Sequence, residues 1–324
     1  MRLKGKVFLV TGGAGFIGSH LVDMLLEEDV RKVIVLDNFI RGGSHNLKNA
    51  LNDDRFELFG LKGDITSIDE VISATNNIDA VFHLASLSLP HCQKYPRSAL
   101  NVNVNGTFNL LESCIKNNIK RIVYASSSSV YGNAKYTPMD ENHPFNFRDI
   151  YAATKLAGES FLQAFHYKYG LDYAALRFMN IYGPRLDYSG AYVAIIMKII
   201  DCLENNLPPK IFGDGSQSFD FVFVKDACRS LLMAMESSKS CETYNISSGK
   251  KISILDVCNK IQKLMKKNIP IDFIKTNSDK TLVTNRIGST EKAKNELGFE
   301  TSISLENGLK QVIDWKLNHT LSNK

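Results

Sequence analysis

The sequence predicts an α/β protein: a doubly wound parallel sheet with a smaller, discontinuous α/β unit following it. Three observations predict this. Short uninterrupted apolar runs, such as Val7-Phe8-Leu9-Val10 and Val33-Ile34-Val35-Leu36, suit strands buried on both faces. Helical periodicities alternate with these runs through the first half of the chain. Glycines end the first run where a helix begins.

The first strand stops at Gly12-Gly13, and Ile17, Leu21, Met24 and Leu25 then recur at helical spacing. The second strand ends at Asp37. Further strands are expected at 56–61, 80–84, 121–126 and 174–178, with helices near 67–75, 97–115 and 151–169. This alternation implies right-handed crossovers in one sheet. After residue 180 the pattern changes. Gly183-Pro184 breaks the chain, and a helix follows with Tyr192, Ile195, Ile196, Ile199, Ile200 and Leu203 on one stripe. Pro208-Pro209 leads to a short strand and the turn Gly213-Asp214-Gly215. Phe221 to Phe223 and the next helix return to the first unit. The expected division is therefore 1–180 with 217–248, and 181–216 with 249–324.

Composition bounds the function. The 324 residues are too many for one small domain. The hydrophobic fraction of 44% and charged fraction of 23% are those of a soluble globular protein. The net charge of +5 is spread thinly, and its densest run, Lys263 to Lys267, is interrupted by Leu264 and Met265, which argues against a nucleic-acid partner. No apolar run reaches the roughly 18 residues of a membrane span, and no cleavable signal pattern is visible. Cysteines 92, 114, 202, 228, 241 and 258 form no CxxC pair and read as reduced thiols of a cytoplasmic protein, without a metal site.

Gly13-x-Gly15-x-x-Gly18 lies between a predicted strand and a predicted helix, the context of a dinucleotide-binding (Rossmann) turn. Gly12, Gly15 and Gly18 let the backbone approach a pyrophosphate, and the helix N-terminus offers unpaired N–H groups. Asp37, 19 residues after Gly18, stands where a carboxylate would hold ribose hydroxyls and repel a 2′-phosphate, so NAD is expected over NADP. Arg41 reads either as a phosphate contact or as a solvated loop residue. Asp64-Ile65, past the third strand, reads equally as an adenine contact or a turn cap.

Ser126 to Ser129 follow a strand, and Tyr151 and Lys155 lie four apart on one helix face. A lysine beside a tyrosine is expected to lower the phenol below its usual value of about 10, so that it acts as a base.

With these motifs, the chain resembles the extended short-chain dehydrogenase/reductases, and among them the nucleotide-sugar epimerases and dehydratases. The resemblance is carried by Thr11 to His20, Asp37-Asn38-Phe39, Gly63-Asp64-Ile65, His83-Leu84-Ala85-Ser86, Asn103 to Thr107, Ser126 to Gly132, Tyr151 with Lys155, Arg177 to Arg185 and Gly213 to Gln217. The block Gly183 to Tyr192 looks most like the UDP-glucose/UDP-N-acetylglucosamine 4-epimerases.

The resemblance implies roles. Tyr151 takes a proton from a sugar hydroxyl, Ser127 bonds the same oxygen with Ser128 as neighbour, and Lys155 binds the nicotinamide ribose. Phe16, Ile17, Asn38, Leu84, Ala85, Asn103, Ser126 and Phe178 join the glycines, Asp37, Asp64 and Ile65 around NAD. Ser88, Asn180, Ala191, Tyr192, Phe219 and Arg286 meet the nucleotide sugar, with Arg286 on its diphosphate, and a homodimer is implied.

Two departures matter. Phe219 replaces an arginine that many relatives carry, and Ser128-Ser129 replace the acidic pair of the 4,6-dehydratases, which disfavours water elimination. His91 reads as a bland loop residue or as a carboxylate reader. An epimerase acting at C4 is the leading expectation. Epimerisation at another carbon, UDP-uronate decarboxylation, keto-sugar reduction and a non-catalytic dinucleotide sensor stay open.

Overall fold

The computed structural model describes residues 1–186, 194–275 and 285–322. In chain order the elements begin with β1 (Val7–Thr11), α1 (Phe16–Glu27), β2 (Lys32–Leu36), β3 (Phe56–Leu58), α2 (Ile68–Ala74) and β4 (Ala80–His83). Then come α3 (Leu89–Lys94), α4 (Pro96–Ala99), a π-helical stretch over Leu100–Asn105, α5 (Gly106–Lys116), β5 (Arg121–Ser127), α6 (Ile150–Tyr169) and β6 (Asp172–Phe178). The remainder comprises β7 (Asn180–Tyr182), α7 (Ile195–Glu204), β8 (Lys210–Phe212), β9 (Ser218–Phe219), β10 (Phe221–Phe223), α8 (Val224–Glu236) and β11 (Glu242–Ile246). It closes with β12 (Ile252–Ser253), α9 (Ile254–Leu264), β13 (Asp272–Ile274), β14 (Asn285–Arg286), α10 (Glu291–Leu297) and α11 (Leu305–Ser322).

Seven strands form one parallel sheet in the order β11-β6-β5-β4-β1-β2-β3. The order reverses between β1 and β4, which opens a crevice at their carboxyl ends. The uniform apolar runs have a direct cause. Phe8 and Val10 of β1 join the core on one face of the sheet, with Leu21 and Leu25 of α1 and Leu231 and Met235 of α8. Val7 and Leu9 join the core on the other, with Val71 of α2, Leu110 and Leu111 of α5 and Leu162 of α6. Period-two alternation thus persists, but both of its faces are apolar. Each fully buried side chain of this kind contributes roughly 1.5–3 kcal/mol.

The expected helix over 97–115 is interrupted. Pro96 starts α4, and the π-helical stretch separates it from α5 and carries the buried Asn103. The strand expected over 56–61 ends at Leu58, and Gly60 takes a φ of +64° just beyond it. α3 and β11 have no counterpart among the expected elements. α6 runs its full length because both ends are stopped: Asp149 accepts from Ala152 N at 2.8 Å, and Gly170 closes the far end at φ +72°.

Beyond the main sheet, β12-β9-β14, β13-β8 and β10-β7 form small sheets. The α7 stripe predicted from sequence is buried through Ile196, Ile199, Ile200 and Leu203, whereas Tyr192 lies outside the described residues. One hydrophobic cluster continues from Phe8 of β1 to Ile261 of α9 and Val312 of α11, so the two units share a core. Among the described residues, no helix is long and apolar enough to cross a membrane, and no His/Cys/Asp/Glu group could hold a metal ion.

Candidate active site

A cavity of about 580 Å³ opens at the reversal point of the sheet. Its floor is the turn from β1 into α1. Gly12 adopts φ +73°, and a Cβ there would stand 2.7 Å from Ala85 N. A Cβ on Gly18 would stand 2.1 Å from the Gly12 carbonyl oxygen. These two positions admit only glycine: Gly12 is pressed against the backbone that follows β4, and Gly18 against the turn that precedes its own helix. Gly15 is the N-cap of α1 and supplies no side-chain cap. The first N–H groups of α1 therefore remain unmatched by any side chain at a cavity wall, the arrangement that receives a pyrophosphate.

Asp37 lines the same cavity at the end of β2. Its carboxylate accepts from Ala14 N at 2.9 Å and Phe39 N at 2.8 Å, which ties the glycine turn to the loop after β2. Burial raises its pKa, opposed by those two bonds. Phe16, Ile17, Asn38, Ile65, Leu84, Ala85, Ser126 and Phe178 also line this space, as do Arg41, His45 and Asn46 near Asp37. A glycine cradle beside a carboxylate at a sheet reversal fits NAD.

At the other end lie Ser86, Leu87, Ser88, Ser127 and Tyr151. Ser127 ends β5 and caps the following 3₁₀ turn: its Oγ accepts from Ser129 N and donates to Ser129 Oγ, both at 3.1 Å. Lys155, one turn along α6 from Tyr151, donates from Nζ to Ala125 O at 2.7 Å. It stands 5.8 Å from the centre of the Tyr151 ring and 5.0 Å from that of Tyr124. Burial pushes the Tyr151 phenol up to about 12, and a hydrogen bond with Ser127 opposes it. Burial brings Lys155 down to about 8. The expectation of a phenol lowered by its lysine is thus not met here. Desolvation of the ring is the dominant effect, and the Lys155 ammonium is bonded to backbone.

Arg286, expected on the diphosphate, belongs to β14, whose register sets it opposite Phe219 of β9, and it is not among the residues lining this cavity. Its Nη1 lies 3.5 Å from Ser129 Oγ, and its buried Nε has no partner. Burial lowers its pKa, opposed by Asp149 and Tyr151. Among the described residues no carboxylate pairs with it, so it is no surface salt bridge. The segment is anchored by Asp220, whose carboxylate accepts from Ser247 Oγ, Ser248 N, Gly249 N and Gly288 N between 2.5 and 3.3 Å. A second cavity of about 350 Å³ is lined by Asn180, Ile181, Leu186, Phe219 and Phe221. The Phe219 ring packs edge-on to Phe221, with centroids 6.3 Å apart.

Several expected contacts fall elsewhere. The Asn103 amide is turned into the protein. It accepts from Leu87 N at 2.7 Å and donates to Leu87 O at 3.3 Å and Thr154 Oγ1 at 3.1 Å, so it shapes the loop before Ser88 and does not line the cavity. Asp64 caps a turn through Thr66 N and Oγ1, both at 2.9 Å, while its neighbour Ile65 reaches the cavity. Ser128 is buried in the 3₁₀ turn and faces neither cavity. His91 packs on Tyr95 at 5.0 Å and lies outside both cavities. Ala191 and Tyr192 lie outside the described residues.

Sequence reasoning missed Met179, Arg185, Leu186 and Trp315, all of which line the first cavity. Arg185 holds a φ of +64° and pairs with Asp23 of α1 at 2.6 Å. Its place beside Pro184 in the chain break was the available signal. Trp315 comes from α11 and had none.

The profile of the NAD-dependent epimerase/dehydratase family matches residues 8–247. A putative UDP-glucose 4-epimerase of Methanocaldococcus jannaschii is 35% identical over 315 residues, spanning 97% of this chain and 99% of its own. Among solved structures, the UDP-N-acetylglucosamine 4-epimerase from Methanobrevibacter ruminantium M1, in complex with UDP-N-acetylmuramic acid, has a TM-score of 0.91 and 32% identity, over 98% of this chain and 99% of the other. The UDP-glucuronic acid 4-epimerase from Bacillus cereus, in complex with UDP-glucuronic acid and NAD, has a TM-score of 0.87 and 28% identity, over 97% and 99%.

Proposed function

Because the chain belongs to the NAD-dependent epimerase/dehydratase family, we propose that it is a UDP-sugar 4-epimerase acting on a UDP-hexose or UDP-N-acetylhexosamine. The single observation that carries this reading is the cavity itself. It joins the glycine cradle to Ser127 and Tyr151, and Asp37, at the far end, is the one carboxylate among its described lining residues.

Tyr151 removes the proton from the C4 hydroxyl as that carbon is oxidised, and Ser127 hydrogen-bonds the same oxygen. When bound, NAD supplies a hydride acceptor and a positive charge on its nicotinamide, which favours the phenolate of a neighbouring tyrosine. The Lys155 ammonium adds to that field from one helical turn away. Once the 4-keto sugar has turned over in the site, the hydride would return to the opposite face of C4 and Tyr151 returns the proton to the oxygen, which gives the other epimer. Elimination of water needs an acid beside the leaving hydroxyl, and the positions after Ser127 are Ser128 and Ser129.

In this reading, residues 1–180 and 217–248 hold NAD, while 181–216 and 249–324 hold the nucleotide sugar. Arg286 meets the diphosphate, where a buried guanidinium is strongest. Asn180, Phe219, Ala191 and Tyr192 bound the nucleotide, and Ser88 the sugar. The protein acts in the cytoplasm, in surface-polysaccharide synthesis, as a homodimer paired through α5 and α6. The half-buried rings of Phe108 and Phe161, 5.2 Å apart, support that pairing face.

The test is incubation of the purified protein with UDP-glucose, UDP-galactose and their N-acetyl forms, without added cofactor, followed by chromatography. Interconversion of one pair is expected. If no pair interconverts, the 4-epimerase reading fails.

A further inference from the structure

The wall between the two cavities comes from one stretch of chain. Met179, Ile181 and Leu186 line both cavities, and among the described residues no others do. The stretch leaves the main sheet after β6 and runs as β7 beside β10, with Asn180 opposite Phe221 and Tyr182 opposite Phe223. Its first half is thereby fixed to a small sheet. Its second half, Gly183-Pro184-Arg185, is fixed to α1.

Two polar contacts make that attachment. His20 Nε2 donates to Pro184 O at 2.9 Å, and Arg185 Nη2 donates to Asp23 Oδ2 at 2.6 Å. A carbonyl oxygen only accepts, so His20 carries its hydrogen on Nε2. Phe16, His20 and Asp23 share one face of α1 at helical spacing. The Phe16 and His20 rings meet edge-on, with centroids 6.2 Å apart, and Phe16 lines the first cavity with Ile17 and Gly18. The helix that offers its N–H groups to a pyrophosphate is thus the helix to which the dividing wall is tied.

The tie is a poor source of stability. Arg185 holds a φ of +64°, a left-handed backbone that disfavours residues with a Cβ. Its Nη1 and Asp23 Oδ1 are buried without a partner, so a guanidinium-carboxylate pair that could make two bonds makes one. Backbone strain and unmatched polar atoms at a single residue mark a positional role.

We propose that Arg185 is a positioning residue that couples cofactor binding to nucleotide binding: through Asp23 it makes the dividing wall and α1 move as one unit, so that each ligand tightens the other. The physical basis is shared ordering. Met179, Ile181 and Leu186 face both sites, and the freedom they lose on binding is lost once for the two ligands. No residue of α1 lines the second cavity, so a nucleotide seated there acts on the cradle helix through the wall. The consequence for the reaction is timing. The cofactor is held tightest while the keto sugar occupies the site, the stage at which losing it would strand the sugar in its oxidised form.

This inference rests on the reading of the two cavities as NAD and nucleotide sites, and its test needs no turnover. NAD is titrated calorimetrically into the full chain, with and without saturating UDP. In the unmodified protein, NAD affinity should rise about fivefold or more with UDP present, and UDP affinity should rise by the same factor with NAD present. The double variant Asp23→Asn/Arg185→Gly strands neither charge and suits the positive φ. There the factor should fall below about twofold, while NAD affinity without UDP stays within about threefold of the unmodified protein. A purely structural role would weaken both ligands and leave the factor unchanged, and that result overturns the proposal. A factor below about twofold in the unmodified protein also overturns it.

A second arm needs no variant. UDP alone should slow amide hydrogen exchange in α1, Phe16–Glu27, about threefold or more. Exchange that UDP leaves unaltered overturns the proposal. Failure of NAD or UDP to bind at all would refute the assignment of the cavities and the coupling with it, whereas binding of both without coupling refutes the coupling alone. Intact coupling without UDP-sugar turnover would remove the epimerase reading and leave the role of Arg185 standing.

Discussion

Gly18→Ala isolates the cofactor cradle from general stability. Gly18 sits in the first turns of α1, so alanine suits its backbone and should even favour the helix there. The obstacle is contact: the added carbon would stand 2.1 Å from the Gly12 carbonyl oxygen and 2.8 Å from Gly13 Cα. Ordinary separations begin near 3.4 Å. The turn and the helix must therefore part by about 1 Å, a strain of roughly 1–3 kcal/mol for an overpacked site. The same displacement carries the N–H groups of α1 away from the pyrophosphate. NAD affinity should fall at least tenfold, about 1.4 kcal/mol. The assay is calorimetric NAD titration, with emission of Trp315 in parallel. That residue is the one tryptophan of the chain, and it lines the cavity. Gly5→Ala is the matched control. Gly5 has φ +69° and nothing within 4 Å of an added Cβ, so it should lose about 1–2 kcal/mol of stability from backbone strain alone, with NAD binding intact. NAD binding by Gly18→Ala within threefold of the unmodified protein would refute the cradle argument.

Four further outcomes are expected. Tyr151→Phe should lower kcat by roughly 10²–10⁴ while Trp315 still reports NAD binding, and activity near the unmodified level would remove Tyr151 as the acid-base group. Arg286→Met should raise KM for the nucleotide sugar about tenfold or more, with Tm unchanged or higher, because an uncompensated buried charge is removed. Burial holds His83 neutral down to about pH 3 between Thr11 and Thr107. The unfolded chain takes up that proton near pH 6.5, so stability from this site is full above 6.5 and is lost as pH falls towards 3. Between pH 7 and pH 5 the loss is on the order of 2 kcal/mol, and urea titrations of His83→Gln should show a correspondingly smaller drop. Asn103→Ala leaves Leu87 N–H without its partner and should lower stability by about 1–3 kcal/mol in the same urea assay.

What was legible in the sequence follows from what repeats locally. β1 and β2 could be read because both faces of the sheet are buried, which makes each run uniformly apolar. The glycine turn, Asp37, Ser127 and Tyr151 could be read because each stands at a strand end or at a fixed helical spacing. The break in the helix over 97–115 could not, since one extra residue in a turn leaves the apolar period almost unchanged while it swings Asn103 inward. β11 was missed because Glu242-Thr243-Tyr244-Asn245-Ile246 alternates polar with apolar, as an edge strand does. Glu159 of α6 and Arg177 of β6, a buried ion pair, did leave traces, a carboxylate four residues after Lys155 and a lone charge within Ala174-Ala175-Leu176-Arg177-Phe178. Neither residue reveals its partner until β5, β6 and α6 are packed together. The Asp64 ambiguity was real in the sequence, because a turn cap and a ligand contact ask for the same side chain in the same loop.

The position of β11 in the chain bears on how the protein is made. It pairs along β6 from Glu242 opposite Ala174 to Ile246 opposite Phe178. During synthesis, α7, the small strands β8 to β10 and α8 all leave the ribosome before that partner does. Until then β6 presents an open row of backbone donors and acceptors, the kind of edge that recruits other chains. Fragments ending near residue 180 should therefore self-associate, however complete their cofactor motif. The nascent polypeptide is most vulnerable to aggregation in the interval before Ile246 emerges.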